Sequence, residues 1–202
     1  MTNPVKLVPI VMSVLFAFVA TLLTTSPAMA QNEEPALPEV RFVTTEGPFV
    51  LQLRPDVAPK TVENFLAYVN SGFYDGTIFH RVIPGFMVQA GGFDENLGRK
   101  QTRAPIVNEA TSTLPNLRGT IAMARTNAPD SATSQFFINV ANNDFLNAGV
   151  RGPGYAVFGK VTDGMGVIDR IAGVQTGYQR GMADVPVSPV IIESAEEITK
   201  DN

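Results

Sequence analysis

The stretch Phe79-His80-Arg81-Val82-Ile83-Pro84-Gly85-Phe86-Met87-Val88-Gln89 decides the fold of this 202-residue chain. Pro84 and Gly85 interrupt an otherwise apolar run, and both residues favour a turn over a continued helix. The stretch is therefore predicted to form a strand, a turn and a second strand. If the two strands pair, a guanidinium, an amide, an aromatic ring and a thioether share one face. Such a face suits a neutral, apolar ligand with a polar backbone better than a charged metabolite.

The first thirty residues differ in composition from the rest of the chain. Lys6 precedes a nearly continuous apolar run over residues 7–23, and Ala28-Met29-Ala30 has the small-x-small pattern of a signal-peptide cleavage site. The apolar run is at the short end of the ~17–25 residues that span a bilayer. We therefore expect residues 1–30 to be a cleavable signal peptide; the alternative is an uncleaved membrane anchor.

The composition argues against several classes of function. A formal net charge of −4 gives no general reason to bind nucleic acid or anionic lipid. The chain has no cysteine and one histidine, whereas a zinc site usually takes several such ligands. We therefore expect no disulfide, no metal and no other cofactor.

Residues 31–39 are expected to be a flexible, exposed leader. After this leader, apolar residues recur at a helical spacing in one long segment. Val62, Phe65, Leu66 and Val69 follow Pro59, which suits the first turn of a helix, and Gly72 suits its end. A shorter helix is predicted over residues 165–172. The two helices and the strands predicted on either side of them are expected to form one domain, residues 40–193, followed by a tail, residues 194–202.

The rest of the domain has the pattern of a mainly β protein. Short apolar segments bounded by Gly and Pro predict strands at residues 41–44, 49–53, 78–82, 87–89, 120–124, 135–140, 156–161 and 190–193. Many short strands with few helices favour a β-barrel or a sandwich. Two long loops remain, residues 94–118 and 173–189. Arg99, Lys100 and Arg103 in the first form either a binding rim or an ordinary solvated surface.

His80 is the only histidine, so any acid–base scheme that needs an imidazole must use it. A hydrolase would pair it with Ser131 or Ser134, but the chain lacks the G-x-S-x-G nucleophile motif. In an alternating strand His80 would also lie on the opposite face from Phe79 and Arg81. We expect His80 to be a core or interface residue and not a catalytic base.

A second segment repeats the amide-and-aromatic pattern of the first. In Ser134-Gln135-Phe136-Phe137-Ile138, alternation places Gln135 and Phe137 on one face and Phe136 and Ile138 on the other. An ordinary core strand with Gln135 at its edge is the competing interpretation.

Three motifs in order resemble the cyclophilin family of peptidyl-prolyl cis–trans isomerases: F-H-R-V-I-P-G-F-M-V-Q, S-Q-F-F-I, and Y-A-V-F-G-K-V at residues 155–161. The resemblance covers nearly all of residues 40–193 and implies a closed eight-stranded antiparallel β-barrel with a helix capping each end. G-T-I-A-M-A-R-T at residues 119–126, together with the N-terminal segment, resembles the bacterial periplasmic branch. The resemblance therefore implies a periplasmic isomerase that assists the folding of exported proteins.

The resemblance also implies a set of site residues. Arg81 would be the catalytic group, and Gln89 and Gln135 would hold the substrate backbone. Ala124 and Arg125 would meet the peptide through main-chain groups. The residues expected to line the pocket for the proline ring are Phe86, Met87, Phe137 and Leu146.

Two further positions depart from the family. Phe145 stands where eukaryotic members have a tryptophan, and Tyr155 stands where a histidine is frequent. Phenylalanine lacks the indole N–H donor, so weakened binding of cyclosporin-type inhibitors is expected. The chain also has Met123-Ala124-Arg125-Thr126 in place of the usual M-A-N-A.

The implied partners are proline-containing peptides and unfolded exported proteins. No nucleic acid and no stable membrane insertion after cleavage are expected, and the protein is expected to be a monomer. A binding module or chaperone that holds proline-containing segments without isomerising them remains an alternative, as does a membrane-tethered form.

Overall fold

A computed structural model describes residues 1–2 and 36–198 of the chain. The predicted signal peptide therefore lies, apart from its first two residues, outside the described residues. Residues 31–35 of the predicted leader and 199–202 of the predicted tail lie outside them as well.

The described residues form a mainly β structure with two α-helices. In chain order the elements are β1 (Glu39–Thr44), β2 (Gly47–Leu53), α1 (Pro59–Asn70), β3 (Arg81–Ile83), β4 (Met87–Ala90), β5 (Thr120–Met123), β6 (Phe136–Asn139), a 3₁₀ helix η1 (Asp144–Leu146), β7 (Val157–Asp163), α2 (Met165–Ala172), β8 (Thr176–Gln179), β9 (Met182–Pro186) and β10 (Ile192–Ile198).

One antiparallel sheet contains eight of the strands, in the order β10-β1-β2-β7-β5-β6-β4-β3. Each of these strands corresponds to one of the eight predicted from the sequence, with ends that differ by a few residues. β10 is the largest change, because it continues to Ile198 and pairs with β1 over that length. The domain end predicted at residue 193 therefore falls inside a strand.

The prediction of a closed barrel is wrong, because the sheet is a strongly curled half-barrel with β3 and β10 as its two edges. The two edges approach each other through the residues that precede β3 and β10 in the chain, where Ile78 and Ile191 form an isolated bridge. There the Phe79 N–H donates to the Val190 carbonyl at 2.9 Å. This contact is antiparallel, so residues after Ile78 lie opposite residues before Ile191, and β3 itself does not pair with β10.

Irregular pairing explains the curl of the sheet. The register shifts at Val43/Thr44, at Val50/Leu51 and at Ile121/Ala122, and such bulges increase the local twist. Gly159 lies in β7 between two of these points. A Cβ atom there would lie 2.5 Å from the Gln52 carbonyl oxygen, so this close approach of strands requires glycine.

The concave side of the curled sheet encloses the main core. Phe65 of α1 lies among aromatic rings from the sheet and the following loop, with centroid distances of 4.9 Å to Phe158, 5.7 Å to Phe136 and 5.3 Å to Tyr74. In α2, Ile168 and Ile171 are also buried in this cluster, and Met165 packs against it half-buried. Burial of large aromatic groups is the main stabilising contribution of such a core.

A carboxylate from a distant loop satisfies the first amides of α1. The residue before the helix is Ala58, which has no side-chain acceptor for the free N–H groups of the first turn. Glu109 supplies it: its oxygens accept from the N–H of Lys60 at 3.2 Å and of Thr61 at 2.8 Å. The long loop over residues 94–118 is thereby tied to the helix.

The second predicted long loop, residues 173–189, contains a hairpin that the sequence pattern did not predict. β8 and β9 pair with each other as a separate two-stranded sheet. Their turn has positive φ at Arg180 (46°) and Gly181 (84°), a conformation that asparagine or glycine usually marks in a sequence. Because Arg180 occupies the first of these positions, the sequence lacks the asparagine or glycine that would have predicted the turn.

No helix among residues 1–2 and 36–198 has both the length and the apolar character needed to cross a membrane.

Removing the Glu109 carboxylate is expected to weaken the start of α1. We expect Glu109→Ala to lower the free energy of unfolding by about 1–2 kcal/mol, the usual cost of a lost helix cap. Urea denaturation, monitored by circular dichroism, measures the change. Glu95→Ala removes an exposed carboxylate from the same loop and should change stability by less than about 0.5 kcal/mol. Equal stability of the two variants would contradict the capping role.

Candidate active site

A small cavity of about 110 Å³ lies against the sheet and joins most of the predicted site residues. Its lining consists of Arg81, Phe86, Met87, Gln89, Ala124, Arg125, Phe137, Leu146 and Tyr155. All nine were predicted from the sequence, where they are spread over 75 positions from residue 81 to residue 155. Gln135 and Phe145, the other two predicted residues, line neighbouring pockets.

The strand register places the polar and aromatic groups in one row. Arg81 of β3 pairs with Gln89 of β4, Gln89 pairs with Phe137 of β6, and Phe137 pairs with Ala122 of β5. Side chains directly opposite each other in antiparallel strands lie on the same face. The row therefore crosses four neighbouring strands, and its first two members, Arg81 and Gln89, lie on the predicted strand–turn–strand.

The cavity has an apolar floor that is separate from the main core. Met87 and Phe137 are 1% and 4% exposed and belong to a small second cluster with Ala122 and Val157. The Tyr155 ring meets Phe137 edge to face, with the centroids 5.6 Å apart. These groups provide an apolar recess beside the polar row.

Arg81 provides a cation whose donors are available to a ligand. Its side chain is 44% exposed, and its Nε lies 3.8 Å from Oδ2 of Asp184, beyond hydrogen-bond distance. Among the described residues, Asp184 is the only carboxylate within ion-pair distance of Arg81. Asp184 belongs to β9, inside the segment predicted to be a loop, so the sequence analysis gave no signal for it.

The two glutamines are linked to each other beside the cavity. Gln89 Nε2 donates to Gln135 Oε1 at 2.9 Å. Gln135 lies outside the cavity lining and faces a second pocket of about 200 Å³, which Arg99 also lines.

Of the three cations considered as a binding rim, Arg99, Lys100 and Arg103, only Arg99 lines a pocket next to the cavity. Lys100 donates to main-chain carbonyls of Phe73 and Asp75, and Arg103 lines a pocket beside α1.

Phe145 lies on the other side of the cavity. It lines a third pocket, of about 330 Å³, and its ring stacks on Phe86 with centroids 5.5 Å apart. Phe145 is 38% exposed. It therefore supports the wall formed by Phe86 and does not enter the cavity.

A chain of asparagines holds this wall in place, and the sequence analysis missed it. Asn143 Nδ2 donates to the Phe86 carbonyl at 2.9 Å and to Asn139 Oδ1 at 2.7 Å. Asn139 Nδ2 donates in turn to Asn116 Oδ1 at 3.2 Å. These three asparagines are buried, and buried amides normally specify one arrangement when their hydrogen bonds are made. The adjacent Asn142 and Asn143, shortly after the S-Q-F-F-I strand ends at Asn139, were the available signal.

His80 is buried and does not line the cavity. Its ring lies 4.7 Å from that of Phe93, and its Nδ1 has no hydrogen-bond partner among the described residues. Burial lowers the pKa of His80 to about 4 and so keeps the imidazole neutral near pH 7. The expected alternation with Phe79 does not apply, because β3 begins only at Arg81 and both residues before it are buried.

The two serines weighed for a hydrolase are bonded elsewhere. The Ser134 hydroxyl donates to the Gly91 carbonyl at 2.7 Å, and the Ser131 hydroxyl donates to the Ala128 carbonyl at 2.7 Å. Neither forms a hydrogen bond with His80 among the described residues, so no nucleophile–base pair is assembled. In that part of the chain, no three Asp, Glu or His side chains converge as metal ligands would.

Comparison with known proteins identifies the same family that the sequence motifs resemble. The family model described as "Cyclophilin type peptidyl-prolyl cis-trans isomerase/CLD" matches residues 39–197. Peptidyl-prolyl cis-trans isomerase cyp18 of Streptomyces antibioticus is 60% identical over 78% of this chain and 96% of its own length. Peptidyl-prolyl cis-trans isomerase A of Dickeya dadantii (strain 3937) is 54% identical over 90% of this chain and 94% of its own length.

A solved structure shows the same fold. The cyclophilin type peptidyl-prolyl cis-trans isomerase of Cryptosporidium parvum, crystallised in the presence of the dipeptide Ala-Pro, superposes with a TM-score of 0.67 at 27% sequence identity. The match covers 80% of this chain and 99% of that one.

The low pKa of His80 makes a prediction about stability and pH. The unfolded imidazole has a pKa near 6.5 and the folded one about 4, so protonation favours unfolding. The neutral His80 imidazole contributes its full stabilisation of the folded state above pH 6.5, and this contribution is lost as the pH falls towards 4. Between pH 7 and 4.5 the wild type should lose about 2 kcal/mol more than His80→Phe, which cannot titrate. Denaturant unfolding measures this difference, and NMR titration of the imidazole gives an independent value. A midpoint near 6.5 in the folded protein would contradict the burial argument.

Proposed function

This chain belongs to the family of cyclophilin-type peptidyl-prolyl cis–trans isomerases and has that enzymatic activity, and we propose that the cavity beside Arg81 is its active site. One observation carries the proposal: nine residues from separate parts of the sequence converge to put a cation and an amide beside an apolar recess. The resemblance of the motifs had placed all nine at the site. Their common location is what those roles require.

The reaction constrains what the site must do. Rotation about an X-Pro bond breaks no covalent bond, and its barrier of about 18–20 kcal/mol is lost amide resonance. Uncatalysed exchange therefore takes tens to hundreds of seconds. As the amide twists, the prolyl nitrogen loses its conjugation and regains a lone pair. A hydrogen-bond donor near that nitrogen stabilises the twisted state more than either planar isomer, and such differential binding is what lowers the barrier.

Arg81 is suited to be that donor. Arginine remains protonated under all ordinary conditions, so it needs no acid–base tuning. The guanidinium lies at the rim of the recess, and its distance from Asp184 leaves its donors free for the substrate. In this proposal Arg81 donates to the prolyl nitrogen of the twisting amide.

The recess would hold the proline ring. Its volume of about 110 Å³ is well below the ~300–1,000 Å³ of sites for drug-sized ligands, so it suits one small ring. Met87 and Phe137 form the buried floor, and Phe86 and Leu146 complete the apolar wall. With the ring fixed, rotation is confined to the bond in front of it.

Polar groups along the edge of the recess would hold the substrate backbone on the other side of the X-Pro bond. The Gln89 side chain lines the cavity and is oriented by its hydrogen bond to Gln135. The Ala124 N–H is already donated to the Gln135 carbonyl at 2.9 Å. The main-chain groups proposed to meet the peptide are therefore the Ala124 carbonyl and the Arg125 N–H.

Electrostatics and positioning are sufficient for a substantial rate. A 10⁵-fold acceleration requires about 7 kcal/mol of differential stabilisation. Preorganised donors in acyl-transfer enzymes contribute about 2.7–4 kcal/mol each, and orientation of the reacting group adds to this. Arg81 acting on a fixed ring is consistent with that total.

The proposed substrates are proline-containing segments of proteins. The Ala-Pro dipeptide used with the Cryptosporidium parvum protein supports this class of substrate. The signal-peptide pattern of residues 1–30 supports export, so unfolded periplasmic proteins are the proposed clients and the mature chain is proposed to act as a monomer. N-terminal sequencing of the mature protein tests export, since cleavage after Ala30 would leave Gln31 first.

Cyclosporin-type inhibitors are proposed to bind weakly. Phe145 presents a ring without an N–H donor next to the cavity wall, and that ring is already stacked on Phe86. An inhibitor that relies on a donor at this position would lose a hydrogen bond.

Arg81→Ala is expected to lower kcat/KM for an X-Pro peptide by about 10²–10³-fold, as for the loss of one preorganised donor in other enzymes. The fold should be retained, since the Arg81 side chain is half exposed and makes no hydrogen bond among the described residues. A protease-coupled assay on a short X-Pro peptide measures turnover, and circular dichroism measures folding.

Arg103→Ala is the matched control, because it removes the same side chain from a pocket that shares no residue with the cavity. It should change kcat/KM by less than about twofold, as expected of a surface substitution. Near-wild-type turnover by folded Arg81→Ala would refute the assignment of Arg81.

A further inference from the structure

The groove around the proline cavity is strongly basic. The cavity and its two neighbouring pockets together have four arginines in their linings, namely Arg81, Arg99, Arg125 and Arg151. None of the three linings includes an aspartate or a glutamate. The chain as a whole has a net charge of −4, so this excess of positive charge is local. A local field of this kind attracts ligands of the opposite sign.

Arg125 occupies the centre of the groove, since it lines all three pockets. Its guanidinium is held rigidly by neutral groups. Nε and Nη2 donate to the Gly154 carbonyl at 3.0 and 2.9 Å, and Nη1 donates to the Thr126 carbonyl at 2.8 Å. The guanidinium also lies 4.4 Å from the centre of the Tyr155 ring.

These contacts fix the position of the Arg125 charge without neutralising it. Three of the five N–H donors of a guanidinium are used, so two remain. Among the described residues, no carboxylate lies within ion-pair distance of Arg125. A cation that is already ordered binds an anion at a lower entropic cost than a mobile one.

Arg151 brings a second cation to the same pocket. It lines the pocket of about 330 Å³ together with Arg125, and its guanidinium lies 5.2 Å from the centre of the Phe145 ring. Arg151 has no carboxylate within ion-pair distance among the described residues. Two arginines and the rings of Phe145 and Tyr155 therefore surround one recess directly beside Leu146 of the proline cavity.

We propose that Arg125 and Arg151 form a carboxylate-binding subsite, so that the enzyme prefers X-Pro segments with an acidic residue next to the proline. The inference rests on the proposed function of the cavity and adds the class of substrate. The methylene groups of an Asp or Glu side chain lie against Phe145, and its carboxylate accepts from the two guanidinium groups. Arginine binds carboxylates in this way through paired N–H donors.

Peptides of matched shape test this preference. The series differs only at one position beside the proline, which is Glu, Gln or Lys, and that position is placed before the proline in one set and after it in another. The quantity measured is kcat/KM by NMR exchange, which needs no protease. For one of the two positions the kcat/KM of the Glu peptide should exceed that of the Gln peptide by about three- to fivefold, the scale of a partly exposed ion pair. The kcat/KM of the Lys peptide should be lower than that of the Gln peptide.

Salt and substitutions identify the groups responsible. The Glu/Gln ratio of the wild type should approach one in 0.5 M NaCl, because salt at that concentration screens exposed charges over a few ångströms. The ratio should also approach one in Arg125→Gln and fall in Arg151→Gln, and Arg125→Lys should restore part of it. Arg103→Gln makes the same change of net charge outside the groove and should keep the wild-type ratio.

The outcomes separate the two levels of the proposal. Absence of turnover with the Gln peptides would refute the proposed function itself. Turnover of the Gln peptides with a Glu/Gln ratio of one at both positions would refute only the subsite. A preference that survives both Arg125→Gln and Arg151→Gln, or is lost in Arg99→Gln alone, would also refute it. The salt dependence of the wild type tests the subsite even if Arg125→Gln fails to fold.

Discussion

The antiparallel register of three short strands is the constraint on which the site depends. Arg81 pairs with Gln89 and Gln89 with Phe137, so a cation, an amide and an aromatic ring lie in one row across the sheet. A slip of one residue in either pairing would exchange the faces and bury polar groups in the main core. The register is secured from both sides. Val88 and Ile138 are fully buried on the opposite face, and Gly85, with φ of 71°, permits the tight turn that joins the two strands.

Separation of the two faces lets the enzyme combine a rigid core with an open recess. The aromatic core on the concave side contains most of the buried apolar side chains, whereas the small cluster under the cavity has only four buried members among the described residues. The asparagine chain compensates for this small size by fixing the loop that carries Phe86 and the start of η1 through hydrogen bonds. A preorganised recess is what catalysis by positioning needs, because a loosely held ring would not confine rotation to one bond.

Local features of the fold were predictable, and long-range ones were not. Pro84-Gly85 predicted the central hairpin, and the spacing after Pro59 predicted α1, because both signals act within a few residues. The position of Glu109 at the start of α1 and of Asp184 near Arg81 depends on contacts between segments 48 and 103 residues apart. The open sheet has the same origin, since it depends on how the residues before β3 meet those before β10. The convergence of the nine cavity residues followed from motif resemblance, and their spacing alone would not have shown it.

Acceleration of prolyl exchange without chemical change is the central claim, and two-dimensional NMR exchange spectroscopy tests it most directly. A peptide with one X-Pro bond is observed with the chain from Gln31 onward at about one-thousandth of its concentration. The account predicts cis–trans exchange cross-peaks on a subsecond timescale, against the tens to hundreds of seconds of the free peptide. Shifts of the peptide resonances that show binding, with an unchanged exchange rate, would contradict it and leave the groove as a binding site alone.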